Sequence, residues 1–348
     1  MDVRLSPEQQ ALRDSTAQVV DRLGPRAVGE LDDAERAAKL DAAVDASGWR
    51  ELRTATDDGS PWASAVEAAL VAEELSRGLA DAPYLGPTLA AELRRLAGAP
   101  PAAAPETVGL APDLSDLACR PDGTPAGSSV AIDARDAASA LVLVPAAGGG
   151  HAVAQVALGE PGGQVDLTRT TVPAEPTAPV VPLGGTEIFL SPEAETRWTA
   201  LGLALTSADL VGTMRGAVAL AADYAKERRQ YGRPIGSFQA VQHLLADALV
   251  AVEGASSTAR HAAWAVDALP ADEALAAGAV AKAYAARAAR SVCETAIQVH
   301  GGIGNTWECL AHVHLRRALL SSDVLGGAGA SLARVLDHHG IGDAHGLR

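Results

Sequence analysis

Apolar residues recur at helical spacing through the first hundred residues of the chain. Ser6, Pro7 and Gln9 form a capping box with proline at the first helical position, and Leu12 begins a run of apolar residues at this spacing. Further helices are predicted over residues 33–46, 61–80 and 87–96. The pattern therefore predicts an N-terminal helical domain over residues 1–103.

The pattern changes after a linker rich in alanine and proline at residues 98–105. Short runs that favour β-structure follow, separated by glycine, proline and aspartate. They cover residues 107–110, 129–132, 140–144, 153–158 and 165–172. The sequence therefore predicts a small, reduced middle β domain over residues 104–199.

Helical periodicity returns in the rest of the chain. The predicted helices cover residues 206–229, 239–268, 272–300 and 308–325, and a last helix ends before Gly340. Long helices joined by short turns of glycine and proline favour a four-helix bundle, here over residues 200–348. The predicted fold class is α+β, mainly α, in the order helical domain, β domain, helical bundle.

Composition and charge exclude several classes of protein and partner. Of the 348 residues, 48% are hydrophobic and 20% are charged, which is ordinary usage for a globular protein and excludes a disordered chain. The net charge of −15 repels phosphate backbones and anionic lipids. We therefore expect neither nucleic acid nor a membrane as a partner.

Cysteine and histidine usage gives no sign of a metal site. Cys119, Cys293 and Cys309 form no CxxC pair, and His312 and His314 are two positions apart, which places them on different faces of a helix. Free thiols are typical of a reducing compartment, and the first residues carry no apolar signal segment. We expect a cytoplasmic protein without a metal ion.

Two segments near the C-terminus carry candidate chemistry. Residues 227–239 join two helices through a turn rich in glycine and leave Arg228 at a helix end, where it either compensates the helix dipole or binds a phosphate group. Residues 296–308 place Gln298 just before a Gly-Gly-x-Gly turn, which lets a ligand approach exposed backbone N–H groups. Helix C-termini commonly end in glycine, so the second segment is either such a helix end or, beside a bound dinucleotide, part of its binding surface.

These two segments resemble the acyl-CoA dehydrogenase family, and the similarity extends to the opening helix and to residues 66–79. It covers about the first hundred and the last 150 residues. In that family the arginine binds the FAD pyrophosphate, the aromatic residue lies near the cofactor, and the glutamine and glycines hold the adenosine end, in a neighbouring subunit. The cofactor-binding residues that the resemblance implies are Arg228, Gln230, Tyr231, Gln298, Gly301 and Gly302.

Two parts of the family's active site are missing from the sequence. The family's loops that hold the flavin ring cannot be recognised between Pro105 and Thr199, where only residues 160–163 are weakly similar to one of them. The family's catalytic carboxylate corresponds to Leu325, and a second known location for it falls near Gly202. No catalytic residue is therefore assigned.

Two carboxylates lie near the expected positions of the base but off their register. Asp323 precedes Leu325 by two residues, which turns its side chain by about 200° on a helix, and Asp209 lies further from its mark. These two residues are the weak candidates for a relocated base.

The resemblance implies an FAD-dependent subunit of a heteromeric dehydrogenase. The chain is similar to the α2β2 acyl-CoA dehydrogenases of bacterial steroid catabolism, so the implied partner is a homologous subunit that carries the catalytic glutamate. The implied substrate is an acyl-CoA thioester, and the implied electron acceptor is of the electron-transfer flavoprotein type.

Three alternatives stay open at this point. The first is a homo-oligomeric dehydrogenase with a relocated base, and the second is a non-catalytic scaffold or regulatory subunit. The third is a related flavoenzyme that uses oxygen.

Overall fold

The computed structural model describes residues 4–119, 129–146, 149–174, 181–183 and 188–341. Its helices are α1 Pro7–Leu23, α2 Ala34–Ala46, α3 Ala65–Arg77, α4 Leu85–Ala97, α5 Pro192–Glu227, α6 Gln239–Ala268, α7 Ala271–His300, α8 Ala311–Asp323 and α9 Ala328–His338. Its strands are β1 Glu106–Leu110, β2 Val130–Ala131, β3 Ser139–Pro145, β4 His151–Ala157, β5 Val172–Pro173, β6 Val181–Pro182, β7 Ile188–Leu190, β8 Arg229–Gln230 and β9 Arg233–Pro234. The predicted mainly helical α+β fold class is confirmed.

Local capping accounts for the ends of several helices. In α1 the backbone N–H of Gln9 donates to Ser6 Oγ at 3.2 Å, and the Ser6 N–H donates back to the Gln9 side chain at 3.1 Å. This confirms the predicted capping box. Asp33 and Ser64 cap α2 and α3 in the same way, because each side chain accepts from backbone N–H groups of the first turn.

The seven strands β1–β7 form one sheet in the order β5-β2-β1-β3-β4-β6, and β7 pairs with another part of β4. All pairings are antiparallel except that of β1 with β3. The central strand β3 is buried on both faces, which accounts for its unbroken apolar run.

The predicted strand at residues 165–172 is wrong for most of its length. Asp166 accepts hydrogen bonds from the Thr168 N–H and hydroxyl, both at 2.8 Å, and this local turn prevents an extended strand. Only Val172, at the end of the run, belongs to a strand. The turn leaves Arg169 buried against the helices, where it contributes to the site described below.

Helix α5 is the central element of the bundle. It begins at Pro192, not near residue 206 as predicted, because Ser191 caps it and proline occupies its first position. The predicted boundary of the β domain at residue 199 therefore falls inside this helix. The length and apolar composition of α5 would suffice for a membrane span, but 78% of the qualifying segment is buried inside the protein.

Helices α5, α6, α7 and α8 pack together as a bundle, and α9 lies against α7. Small side chains dominate the bundle core, so the helices approach closely. At Gly212 and Gly216 the backbone of α5 contacts α3 so tightly that an added Cβ would lie within 2.2 Å of a backbone oxygen. α5 thus connects the N-terminal helices, the sheet and the bundle.

Candidate active site

The two motif segments meet at one end of the bundle. The Tyr224 ring in the last turn of α5 stacks on the His300 ring at the end of α7, with ring centroids 4.5 Å apart. The chain leaves α5 at Arg228, whose N–H donates to the Tyr224 carbonyl at 2.8 Å, and it leaves α7 at Gly301. The arginine motif and the glycine motif therefore lie side by side.

A protruding hairpin follows α5. Strands β8 and β9 pair across a two-residue turn in which Tyr231 has φ 50° and Gly232 has φ 79°. Positive φ at both central residues is the geometry of a tight hairpin, and it is unusual for a tyrosine. The Tyr231 side chain is 93% exposed, and its ring meets Phe238 edge-on at 6.3 Å. The tyrosine is thus held outward at the tip.

The guanidinium groups of this hairpin have free donors. Arg228 and Arg229 are exposed and form no ion pair among the described residues, and Arg233 only stacks over Phe238 at 4.3 Å. In a chain of net charge −15, unpaired arginines are not explained by the general charge balance. Their planar N–H groups match the oxygens of a pyrophosphate, so this surface fits the phosphate part of FAD.

The glycine motif is open where the resemblance requires a cofactor. Gly301 has φ 67°, and a Cβ atom at Gly301 or Gly302 would meet no atom within 4 Å. Gly304 differs, because a Cβ there would lie 2.8 Å from the Ile297 carbonyl, so this glycine serves packing. Gln298 is exposed just before the turn. The open glycines and the free amide fit the adenosine end of FAD.

The two positions expected for a catalytic base contact each other. A Cβ atom built at Gly202 on α5 would lie 2.1 Å from Leu325 Cδ1 and 3.7 Å from Leu89 Cδ2. Leu325 is fully buried with φ 61°, and its turn is held by the Leu114 carbonyl, which accepts from its N–H at 2.7 Å, and by Arg334, which donates to its carbonyl at 2.8 Å. This contact is apolar and contains no proton acceptor.

Asp209 is committed to a buried ion-pair network. Arg169 and Arg317 donate to its Oδ1 at 2.6 and 2.7 Å, and the Ser321 hydroxyl donates to its Oδ2 at 2.7 Å. Burial would raise the pKa of Asp209, but the two guanidiniums outweigh this and lower the pKa below its ordinary value. A carboxylate held in this way is a poor proton acceptor, so the geometry disfavours Asp209 as the base.

Sequence reasoning missed Arg169, because its segment has the composition of a strand. Its guanidinium is buried and also lies 3.3 Å from the Asp133 carboxylate, so it joins the sheet to α5 and α8. Asp133 itself accepts from the backbone N–H groups of residues 84–86 at the start of α4. The one available signal was that Asp166 and Arg169 interrupt a run with the composition of a strand.

Asp323 is exposed at the end of α8, whereas the Leu325–Gly202 contact is buried. The turn between them is fixed by Lys282 of α7, which is fully buried and donates to the carbonyls of Ser321 and Val324, the latter at 2.8 Å. Burial lowers the pKa of Lys282 to about 7. The structure therefore does not bring Asp323 to either expected position of the base.

A cavity of about 490 Å³ lies elsewhere, between α2, α4 and the start of the sheet. Pro87, Ala91 and Arg94 of α4 line it, whereas Leu89 on the opposite side of α4 faces the Gly202 region. Arg94 is paired with Glu106, which also lines the cavity. The cavity is therefore separate from both the hairpin and the Leu325 contact, and residues 160–163 are exposed and irregular without lining it.

The fold and the two motifs define the class of protein. Helices, a small sheet and a four-helix bundle follow one another, and the bundle carries an open arginine and glycine surface; this is the arrangement of acyl-CoA dehydrogenases. Residues 200–337 match the family model described as acyl-CoA dehydrogenase, C-terminal domain.

The acyl-CoA dehydrogenase IpdE2 of Mycobacterium tuberculosis is 33% identical over 334 residues, which are 91% of this chain and 93% of IpdE2. The chain belongs to the acyl-CoA dehydrogenase family.

Two solved structures show the same fold at lower identity. The Tcur3481–Tcur3483 steroid acyl-CoA dehydrogenase (G363A variant) has a TM-score of 0.80 at 24% identity, covering 97% of this chain and 99% of that one. PigA with FAD and proline has a TM-score of 0.76 at 17% identity, covering 98% and 100%.

Proposed function

We propose that this chain is a subunit of a heteromeric, FAD-dependent acyl-CoA dehydrogenase and that a homologous partner subunit supplies the catalytic base. The observation that carries this proposal is the buried contact between Leu325 and Gly202. Both positions at which the family carries its carboxylate are apolar here, and the Leu325 side chain occupies the space that Gly202 leaves free.

The reaction needs a proton acceptor that this chain does not offer at those positions. Desaturation of an acyl-CoA removes a proton α to the thioester carbonyl, while FAD supplies the acceptor for the β-hydride. Asp209 is occupied by two arginines, and Asp323 faces solvent. A glutamate from another subunit is the simplest source of the base.

This chain's own contribution is the neighbour half of a shared FAD site. Arg228 would hold the pyrophosphate through its planar fork, and Gln298 with the backbone N–H groups of Gly301 and Gly302 would hold the adenosine end. Gln230 and Tyr231 extend this surface along the hairpin. The unpaired guanidiniums and the open glycines support these assignments.

Two similar proteins support the steroid substrate and the FAD cofactor of this proposal. The two-component Tcur3481–Tcur3483 protein is a steroid acyl-CoA dehydrogenase, and PigA holds FAD in the same fold. We therefore propose an acyl-CoA thioester with a steroid-derived acyl group as substrate, an α2β2 assembly, an acceptor of the electron-transfer flavoprotein type and a cytoplasmic location.

The test is to purify this chain alone and together with acyl-CoA dehydrogenase chains that carry a glutamate at the position of Leu325. Bound FAD per chain is measured by absorbance, and the mass of the assembly by light scattering. We expect flavin only in a mixed complex, at one FAD per pair of unlike chains. Arg228→Ala should lower FAD retention at least tenfold, whereas Arg22→Ala, an exposed arginine on α1, should not.

Two outcomes would overturn the proposal. Full flavin loading and turnover by the lone chain would show a complete site within a homo-oligomer. A colourless mixed complex in which Arg228→Ala changes nothing would instead favour a scaffold without flavin.

A further inference from the structure

Trp307 stands on the surface beside the glycine motif with its ring held in one orientation. The Arg316 guanidinium lies 5.7 Å from the ring centroid, and the His312 ring meets it edge-on at 5.2 Å. The side chain is nevertheless 64% exposed. Because two neighbours already fix the indole, a contact on its open face would lose little side-chain entropy.

Exposed apolar side chains near Trp307 come from two parts of the fold. Arg316 donates to the Val165 carbonyl at 3.1 Å, which joins α8 to the segment after β4. Leu319 follows Arg316 by three residues on α8 and therefore lies on the same side of the helix. Val165, Leu319 and Ile303 are all exposed. We call these residues, Ile303, Trp307, Val165, Arg316 and Leu319, the Trp307 patch.

The charge at the patch indicates the chemistry of what covers it. Arg316 forms no ion pair within the described part of the chain, although the protein as a whole carries −15. Its free N–H groups favour an acceptor of negative charge on the opposing surface. Tryptophan and arginine are also the residues that most often dominate the energy of a protein interface.

Resting on the proposed function, we propose that the Trp307 patch is a docking surface for the flavin-holding partner subunit, which receives the indole in an apolar pocket with a carboxylate at its rim. Trp307 follows Gly302 by five residues, so the patch is continuous with the surface proposed to reach into the partner's FAD site. The patch also extends to Val165 and Leu319, beyond the cofactor-binding residues, which suits a protein surface rather than a dinucleotide.

The experiment uses the wild-type chain with each acyl-CoA dehydrogenase chain of the same genome that carries a glutamate at the position of Leu325. The dissociation constant of the mixed complex is measured for the wild type, Trp307→Ala, Trp307→Phe and a matched control, Trp62→Ala. Trp62 is 73% exposed on the N-terminal side of the protein. Thermal melting of each isolated chain checks the fold, and FAD per complex is measured at saturating partner.

We expect Trp307→Ala to weaken assembly by about tenfold or more, Trp307→Phe by less, and Trp62→Ala by less than about twofold. An unchanged dissociation constant for Trp307→Ala would overturn the docking proposal. The same result with a loss of FAD would do so too, because Trp307 would then contact the cofactor, while the shared FAD site would stand. If the wild type assembles with none of these chains, the proposed function fails first and this inference with it.

Discussion

Leu325 Cδ1 lies 2.1 Å from the place where a Cβ atom at Gly202 would begin, so each residue depends on the other's size. The two positions at which the resemblance to the family implies a catalytic carboxylate thus face each other between α5 and the turn after α8. A leucine fills one because glycine leaves room at the other. The position where the base is expected lies in a well-packed core, and a carboxylate introduced there would be buried among apolar groups.

The Gly202–Leu325 contact predicts strong non-additivity between two substitutions. Gly202→Ala should lower the free energy of unfolding by about 1–3 kcal/mol through overpacking, despite the better helix propensity of alanine. Leu325→Ala should lower it by about 2–5 kcal/mol by leaving a cavity. The double variant should lose at least about 1 kcal/mol less than the sum. Urea denaturation of all four proteins measures this, and simply additive losses would contradict the contact.

Asp209 and Asp323 should respond differently to neutralisation. Asp209→Asn leaves Arg169 and Arg317 buried without their shared carboxylate, so it should lower the free energy of unfolding by about 3 kcal/mol or more. Asp323→Asn, at an exposed position, should change it by less than about 0.5 kcal/mol. Turnover of the assembled enzyme should persist in Asp323→Asn. Its abolition without loss of assembly would restore Asp323 as a base.

The buried imidazole of His314 should make the protein less stable in acid. Burial, and then the charge of Arg317, lower its pKa to about 3 from an ordinary value of 6.5. The unfolded chain therefore binds this proton first, so the free energy of unfolding falls as the pH falls from about 6.5 towards 3. His314→Gln removes the titrating group, and it should flatten this part of a plot of stability against pH. An identical slope in the variant would contradict the buried neutral imidazole.

Lys282 should make the stability of the protein depend on pH in the alkaline range. Burial lowers its pKa to about 7 from an ordinary value of 10.5, so between these values the unfolded state binds more protons and stability rises with pH. Lys282→Met loses the bonds to the Ser321 and Val324 carbonyls. The advantage of the wild type over this variant should therefore grow between pH 7 and 10. Equal advantages in denaturation curves at pH 7 and pH 9.5 would count against this reading.

Elements with local signals were predictable from the sequence. The capping box at Ser6, the helices α6 and α7 and the strands β3 and β4 follow from caps and apolar periodicity, and the structure has them close to the predicted bounds. A turn after α5 was likewise indicated by its glycines and proline, although its two short paired strands were not. The motifs at Arg228 and Gly301 were found because each stands at a helix end, where the chain changes direction.

Elements set by distant contacts were not predictable in this way. Residues 165–172 have the composition of a strand, but Arg169 is drawn to Asp209, 40 residues further along the chain. The contact of Leu325 with Gly202 depends on how α5 and α8 pack, which no local pattern reveals. Trp307 was noticed only as part of a motif, since its exposure and its clamp by Arg316 require coordinates.

Helix α5 has 36 residues, and about 39 Å of it separates Gly202 from Arg228. This one rigid helix thus carries the buried, apolar position Gly202 in its first half and the exposed, cationic Arg228 at its C-terminal end. Changes at either end have little physical reason to disturb the other. After a gene duplication, one copy with such a helix could lose a catalytic residue near Gly202 without altering the surface at Arg228. Catalysis and the binding of a neighbouring subunit's cofactor could then evolve independently.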